Sequence, residues 1–92
     1  MSIQITAIRL AGGNGHEHIS DLWWTSLDTG KSDVSTRAVI VDWIENEKGV
    51  AFVEQPAGVR AYVGIYPLNG QKYLRTHSDG KWTDNLLALP RR

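Results

Sequence analysis

The chain has 92 residues, with ten basic and ten acidic side chains, three histidines and no cysteine, and 41% of its residues are hydrophobic. This length suits a single domain over residues 1–92, because a chain of this size buries only roughly two thirds of its surface. The balanced charge provides no overall attraction to nucleic acid or to an anionic membrane, and the lack of cysteine excludes disulfides and thiolate chemistry. No basic leader and no apolar run of about 18 residues is present, so we expect a soluble, cytoplasmic protein.

The first part of the chain predicts two strands joined by a glycine-rich loop. The first strand is Ile3 to Leu10, where a break in the apolar alternation indicates a β-bulge near Ala7 or a strand end that is buried on both sides. The second is Ile19 to Leu27, and its adjacent Trp23 and Trp24 must point to opposite faces. One of the two indoles is expected in the core and the other partly exposed, and the pattern does not say which.

Two histidines lie just before the second strand. His16 and His18 are two residues apart, a spacing at which two imidazoles on a strand can chelate a metal. A metal site needs further ligands, and the only other histidine is His77. The favoured interpretation is solvated loop histidines, so no metal and no cofactor is predicted.

One helix follows a predicted turn over residues 28–33. Its N-cap is Ser35 or Thr36, and Gly49 lies at its C-terminal stop. At about 100° per residue, four apolar side chains share one face and predict a core-facing stripe. They are Val39, Ile40, Trp43 and Ile44, with Val41 at the margin.

The second half predicts three more strands, Val50–Glu54, Val59–Tyr66 and Gln71–His77. The last two are joined at Asn69-Gly70, a dipeptide that favours a two-residue type I′ hairpin turn. This turn sets the register of the facing pairs. The pairs are Ile65 with Leu74 and Val63 with Thr76 on the inner face, and Tyr66 with Tyr73, Gly64 with Arg75 and Tyr62 with His77 on the outer face.

The predicted order is therefore β-β-α-β-β-β. It indicates an α+β fold with a curved antiparallel sheet, or a partial small β-barrel, of about five strands. The helix is expected to cover one face of that sheet.

The hairpin register gathers a candidate binding face. Aromatic rings beside a guanidinium and an imidazole can stack bases, grip a peptide or hold a phosphate-bearing small molecule. The alternative to ligand binding is that the tyrosines only cover an exposed sheet, or that a second subunit covers this face. The candidate residues are Tyr62, Tyr66, Tyr73, Arg75 and His77, with Arg60 as a further candidate and Trp23 as a separate exposed aromatic.

A second group of polar residues surrounds the end of the last predicted strand. His77 with Asp79 or Asp84 can be drawn as an oriented base of a hydrolase, with Ser78, Thr76 or Thr83 as nucleophile. No spacing matches a nucleophile elbow or a paired-carboxylate site, so no catalytic residue is assigned and no enzyme is predicted.

The favoured interpretation of this group is structural. Asp79-Gly80 closes a turn, and Asp84 or Asn85 bonds to the backbone and locks the following segment in place. Leu86, Leu87 and Leu89 then fill the open end of the core and Pro90 ends the segment. Arg91-Arg92 is expected to be a solvated end.

Several of these segments together resemble a known family. The opening Ile5-Thr6-Ala7-Ile8-Arg9, His18-Ile19, Tyr73-Leu74-Arg75-Thr76 with Asp79-Gly80, and the closing Asp84-Asn85-Leu86-Leu87-Ala88-Leu89-Pro90 are similar to the DUF3892 family of small uncharacterised bacterial and phage proteins, frequent in actinobacteria. The resemblance covers nearly the whole chain. It implies a single domain in a bacterial cytoplasm, or in the host cytoplasm if a phage encodes it, and supplies no activity or catalytic residues. The adjacent tryptophans and Arg91-Arg92 depart from the family pattern.

The function expected from the sequence is that of a small non-enzymatic interaction module. Its partner is another protein, such as a host protein, or a second copy of the chain. A small-ligand binder, in which Arg75 and His77 hold a nucleotide-like phosphate, is the alternative. A hydrolase ranks below both, and nucleic acid and membrane partners are not predicted.

Overall fold

The computed structural model describes residues 2–54, 58, 60–78 and 80–92. Residues 55–57, which connect two predicted strands, the first residue of the predicted strand at Val59, and Asp79 lie outside the described residues. The described elements are β1 (Ser2–Leu10), a 3-10 helix (His16–His18), β2 (Ile19–Ser26), β3 (Ser32–Thr36), α1 (Arg37–Glu47), β4 (Val50–Glu54), β5 (Arg60–Leu68), β6 (Gln71–Ser78) and β7 (Lys81–Thr83).

The described strands form one curled mixed sheet with the spatial order β3-β2-β1-β4-β5-β6-β7. β1 and β4 are parallel, and the other neighbouring pairs are antiparallel. The α+β class and the curved sheet are therefore confirmed. The expectation of about five strands in a wholly antiparallel sheet is wrong, because the residues of β3 and β7 were not predicted to be strands and because β1 pairs in parallel with a strand that follows the helix.

Neither missed strand carries a strand-like pattern. β3 reads Ser-Asp-Val-Ser-Thr and is mostly exposed, so it shows no apolar alternation. β7 has only three residues, of which Lys81 and Trp82 are exposed. Both are edge strands, which pair with a neighbouring strand on one side only. Their side chains are mostly exposed, so these strands need no alternation of apolar residues.

The predicted bulge lies in β1. Ile5 pairs with Trp24 and Ala7 pairs with Trp23, so Thr6 is the extra residue between them. The two indoles point to opposite faces, as predicted. Trp24 packs against the core, but both indoles are only half-buried, so neither is the fully buried core residue that the sequence suggested.

The helix begins as predicted, but its buried face is rotated. Thr36 Oγ1 accepts a hydrogen bond of 3.4 Å from the backbone N–H of Val39, which makes Thr36 the N-cap. Ile40 and Val41 are buried, whereas Val39 is 55% exposed. The placement of Val39 in the core is wrong, because the helix presents the side of Ile40 and Val41 to the sheet.

The β5–β6 hairpin has the predicted register at all five pairs. Asn69 and Gly70 have φ values of 52° and 79°, and two consecutive positive φ values are what a type I′ turn requires. The inner pairs place Val63, Leu74 and Thr76 in the core.

The closing segment fills the open end of the sheet. Leu86 is fully buried, and Leu87 and Leu89 pack partly buried against the core, as predicted. The backbone then runs parallel to β1: the N–H of Ile8 donates to the carbonyl of Pro90 at 3.0 Å, and the N–H of Arg92 donates to the carbonyl of Ile8 at 2.9 Å. The expectation that Arg91-Arg92 is a solvated end is therefore wrong for the backbone, although both side chains are exposed.

Candidate functional site

The candidate face lies on the side of β5 and β6 opposite α1. The alternation of the hairpin turns Val63 and Leu74 toward the helix side and turns the rings of Tyr62 and Tyr66 outward. We call this surface the outer aromatic face and define it as Tyr62, Tyr66, Arg75, His77 and Trp82.

Edge-to-face contacts join the members of the outer aromatic face. Trp82 meets Tyr66 with ring centroids 5.0 Å apart at 79°, and meets His77 at 5.8 Å and 85°. The guanidinium of Arg75 lies 5.1 Å from the centroid of the Tyr66 ring. These distances suit favourable aromatic and cation–π contacts, so the side chains form one packed surface.

The strand register aligns a row of rings across four strands. Phe52 pairs with Tyr62, Tyr62 with His77, and His77 with Trp82. Phe52 is fully buried, while Tyr62 and Trp82 are 44% and 42% exposed. The ring at the β4 end of the row is therefore buried, and the large rings on β5 and β7 are exposed.

Gly64 makes room for this arrangement. A Cβ at that position would lie 3.0 Å from Cδ2 of His77 and 3.5 Å from Cη2 of Trp82. A Cβ there would crowd the imidazole and would just touch the indole, so the lack of a side chain lets the His77 ring lie close to the sheet.

Trp82 was missed by sequence reasoning. It lies between the predicted turn at Asp79-Gly80 and the closing segment, in a stretch that was assigned to no strand. The usable signal was Gly80 after the β6 strand pattern: a hairpin at that turn would have placed Trp82 beside His77.

Two predicted site residues make their recorded contacts outside the outer aromatic face. Tyr73 is half-buried, and the guanidinium of Arg37 at the start of α1 lies 4.7 Å from the centroid of its ring. Trp23 is on β2, with β1 and β4 between it and β5. The guanidinium groups of Arg9 and Arg92 lie 5.3 and 5.2 Å from the Trp23 ring.

The predicted structural group around Thr76 is assembled. Thr76 Oγ1 is 2.7 Å from Thr83 Oγ1 and accepts from the backbone N–H of Asn85 at 3.1 Å. The side-chain amide of Asn85 donates to Thr83 Oγ1 at 3.1 Å. Gly80 occupies the turn between β6 and β7. The lock on the closing segment thus runs through Thr76, with Asn85 contributing its backbone N–H.

Asp84 contacts side chains rather than the backbone that the sequence suggested. Its Oδ1 accepts from Nη2 of Arg75 at 3.0 Å, while Nε of Arg75 donates to the carbonyl of Thr83 at 3.2 Å. Arg75 therefore ties the outer aromatic face to the closing segment. The guanidinium is already engaged by two acceptors.

The imidazole beside Asp84 is His16, whose Nε2 lies 3.8 Å from Asp84 Oδ1. Burial lowers the pKa of His16 below 6.5, the positive charge of Arg75 lowers it further, and Asp84 and Glu17 partly oppose the shift. His16 is therefore neutral near pH 7 and its contact with Asp84 is not an ion pair. His77, the base in the hydrolase hypothesis, instead packs against Trp82.

The structure does not assemble a metal site around His16 and His18 within its described residues. Within residues 2–54, 58, 60–78 and 80–92, no three or more His, Asp or Glu side chains are grouped so that they could hold a metal ion. Nδ1 of His18 accepts from the backbone N–H of Gly15 at 3.3 Å. This nitrogen is therefore engaged within its own loop.

A cavity of about 520 Å³ opens on the other side of the sheet, between α1 and the end formed by β1 and β2. Its lining combines two indoles with small apolar residues and two carboxylates. The lining residues are Ile3, Trp24, Ser35, Ala38, Val39, Ile40, Asp42, Trp43 and Glu47. Sequence reasoning missed the cavity because it assigned Val39 and Trp43 to the packed core.

The one α-helix in the described ranges is too short to cross a bilayer.

The fold and these surfaces define a small α+β domain with an exposed aromatic surface on its sheet and a cavity beside its helix. A family model described as a protein of unknown function (DUF3892) matches residues 4–90. The chain therefore belongs to the DUF3892 family, which confirms the family resemblance seen in the sequence. No curated protein and no solved structure matches the chain.

Proposed function

We propose that this protein is a non-enzymatic binding module that engages a protein partner through the outer aromatic face. The observation that carries the proposal is the packed Tyr66–Trp82–His77 contact with large rings left exposed on both sides of His77. Tyrosine, tryptophan and arginine are the residues that most often dominate the binding energy of protein interfaces. A rigid aromatic surface also loses little side-chain entropy on binding.

The charge of this surface favours a second copy of the chain as the first partner to test. Arg75 is neutralised by Asp84 at 3.0 Å, and Arg60 at the start of β5 lies 4.0 Å from Glu54. A surface with balanced charges can meet its own copy across a two-fold axis without like-charge repulsion. A host protein is the other proposed occupant.

The test compares solution mass by light scattering for the parent and for Tyr62→Ala/Trp82→Ala. The substitutions are made at these two exposed rings, because Tyr66 and Arg75 are partly buried and Arg75 also bonds to Thr83 and Asp84. We expect a dimeric parent and a monomeric variant with an unchanged circular dichroism spectrum. Trp23→Ala is the matched control, since it removes an indole from the same side of the sheet but outside the outer aromatic face, and it should stay dimeric.

A parent that is monomeric at every concentration would exclude the second copy as partner. The same variants then serve in a co-purification with proteins of the host cell. Equal capture by the parent and by Tyr62→Ala/Trp82→Ala would contradict the proposal that this face binds protein.

The alternative is a small phosphate-bearing ligand, such as a nucleotide, on the same surface. It is favoured by the exposed His77 between Tyr62 and Trp82 in the row of rings, where a base can stack. It is weakened by Arg75, whose guanidinium is held by Asp84 and Thr83. A thermal-shift series should show about 2.7 kcal/mol of stabilisation at 100 times the dissociation constant, and a flat response to all nucleotides would count against it.

A cytoplasmic location, in a bacterium or in the host of a phage that encodes the protein, is part of the same proposal. It rests on the family resemblance and on the lack of cysteine.

A further inference from the structure

We propose that the cavity beside α1 binds an organic cation, a quaternary or protonated ammonium group carried on an apolar body. This site is distinct from the outer aromatic face, because the two lie on opposite sides of the sheet. The inference stands on the size of the cavity, on its indole walls and on the sign of the charge at its rim.

The size fits a small organic ligand. The cavity volume is about 520 Å³, and pockets that bind small molecules usually measure about 300–1,000 Å³. The apolar lining residues Ile3, Ala38 and Ile40 provide contact for a hydrocarbon body.

Two indoles form the distinctive part of the wall. Nε1–H of Trp24 donates to Oγ of Ser35 at 3.0 Å, which fixes the orientation of that ring and occupies the serine hydroxyl. Trp43 packs partly buried against the core, and its ring lies directly against the backbone of Gly49. Held in this way, the indoles need little ordering when a ligand binds, and tryptophan is the side chain that attracts cations best.

The charged residues of the wall are both acidic. Asp42 and Glu47 line the cavity, and none of its nine lining residues is a lysine or an arginine. Asp42 Oδ1 accepts from the side-chain amide of Asn46 at 2.6 Å. In the described part of the chain neither carboxylate makes an ion pair, and the nearby Lys72 pairs with Glu45 instead, at 2.6 Å.

This arrangement selects the charge of the ligand. A cation is attracted by both carboxylates and by the indoles, an anion is repelled, and a neutral apolar molecule gains only from burial. The ligand class that can interact with the apolar residues, the indoles and the carboxylates together is therefore an ammonium with an apolar substituent.

The test uses three probes of similar size and different charge: benzyltrimethylammonium, benzyl alcohol and phenylacetate. Binding to the full chain is followed by tryptophan fluorescence and by the indole N–H signals in NMR spectra. We expect benzyltrimethylammonium to bind roughly tenfold more tightly than benzyl alcohol, and phenylacetate not to bind. The shifted indole signals should be those of Trp24 and Trp43.

Asp42→Asn/Glu47→Gln should reduce the preference for the cation over benzyl alcohol, leaving only the part due to the indoles, and should leave the affinity for the alcohol unchanged. Asp28→Asn/Glu54→Gln is the matched control, because it changes the net charge equally, replaces no lining residue of the cavity and leaves the Lys72–Glu45 pair in place. It should bind the cation like the parent.

Equal affinity of the parent for the cation and the alcohol overturns the proposal, as does the absence of any response to the cation. The comparison of probes on the parent decides the question even if the double variant fails to fold. A short glycine–serine peptide carrying one trimethyllysine distinguishes the source of the ammonium. Binding of the peptide points to a modified protein side chain, and binding of the free cation alone points to a metabolite.

Discussion

His16 shows how one buried side chain links the 3-10 helix to the closing segment. Its Nε2 is buried with no hydrogen-bond partner among the described residues, and Asp84 Oδ1 is 3.8 Å away. An imidazole in this position is most stable when neutral, because burial and the charge of Arg75 both oppose protonation.

Acid should therefore destabilise the protein through His16. The folded pKa is below 6.5, so as the pH falls through 6.5 the unfolded chain takes up a proton that the folded chain resists. The free energy of unfolding is fully retained above pH 6.5 and declines until the folded pKa is reached. Urea denaturation of the parent and of His16→Gln across this range measures the effect.

His16→Gln should lose less stability than the parent on acidification. Thr25→Val, which removes an exposed hydroxyl and no titratable group, is the control and should keep the pH dependence of the parent. If the curves of the parent and His16→Gln run parallel over the whole range, the buried imidazole does not control the acid response.

Thr76 joins two neighbouring elements, β6 and the segment that follows β7. The residue is fully buried, and its hydroxyl contacts the Thr83 hydroxyl, the Thr83 carbonyl and the backbone N–H of Asn85. Sequence reasoning correctly placed Thr76 on the inner face of the hairpin, but it did not find the partners that make a hydroxyl suitable there.

Thr76→Val should lower the free energy of unfolding by about 1–3 kcal/mol, because it removes two hydrogen bonds to Thr83 and leaves the part-buried backbone N–H of Asn85 without its acceptor. The two side chains have nearly the same shape, so packing changes little. Thr25→Val is the matched control: the Thr25 hydroxyl bonds to Ser32 at 2.8 Å in a solvent-exposed pair. A loss from Thr76→Val no larger than the loss from the control would show that the hydroxyl network does not lock the segment.

The whole molecule depends on residues from both ends of the chain. The sheet is an open, curled layer, and the closing segment covers its open end with Leu86 before its backbone pairs with β1. The hydrophobic cluster accordingly contains side chains from β1, α1, β6 and the closing segment together. In a chain with so small a core, one fully buried leucine is a large part of the total stability.

Leu86→Ala should therefore cost about 2–5 kcal/mol, through lost burial and the cavity left behind. The measurement is chemical denaturation monitored by tryptophan fluorescence. Leu68→Ala, at a position 38% exposed near the hairpin tip, should cost much less. Similar losses for the two variants would mean that the closing segment is not an integral part of the core.

Some features of the site were predictable because their signals are local. Asn69-Gly70 sets a two-residue turn, the turn sets the register, and the register places Tyr62, Tyr66, Arg75 and His77 on one face. The bulge in β1 and the helix cap at Thr36 likewise follow from a few adjacent residues.

The amino-acid pattern alone was thus sufficient for the α+β class, the helix, the hairpin and most of the aromatic surface, since each depends on short-range backbone preference or strict alternation. Long-range pairing settled the rest: β3 and β7 are held by neighbours rather than by their own composition, β1 pairs in parallel with β4, and the closing backbone joins β1. The placement of Trp82 beside His77, of Asp84 beside His16, and of two indoles around a cavity arises from that assembly. No local rule encodes these contacts, because backbone hydrogen bonds between distant strands can form with almost any side chains, and only the packed molecule selects among them.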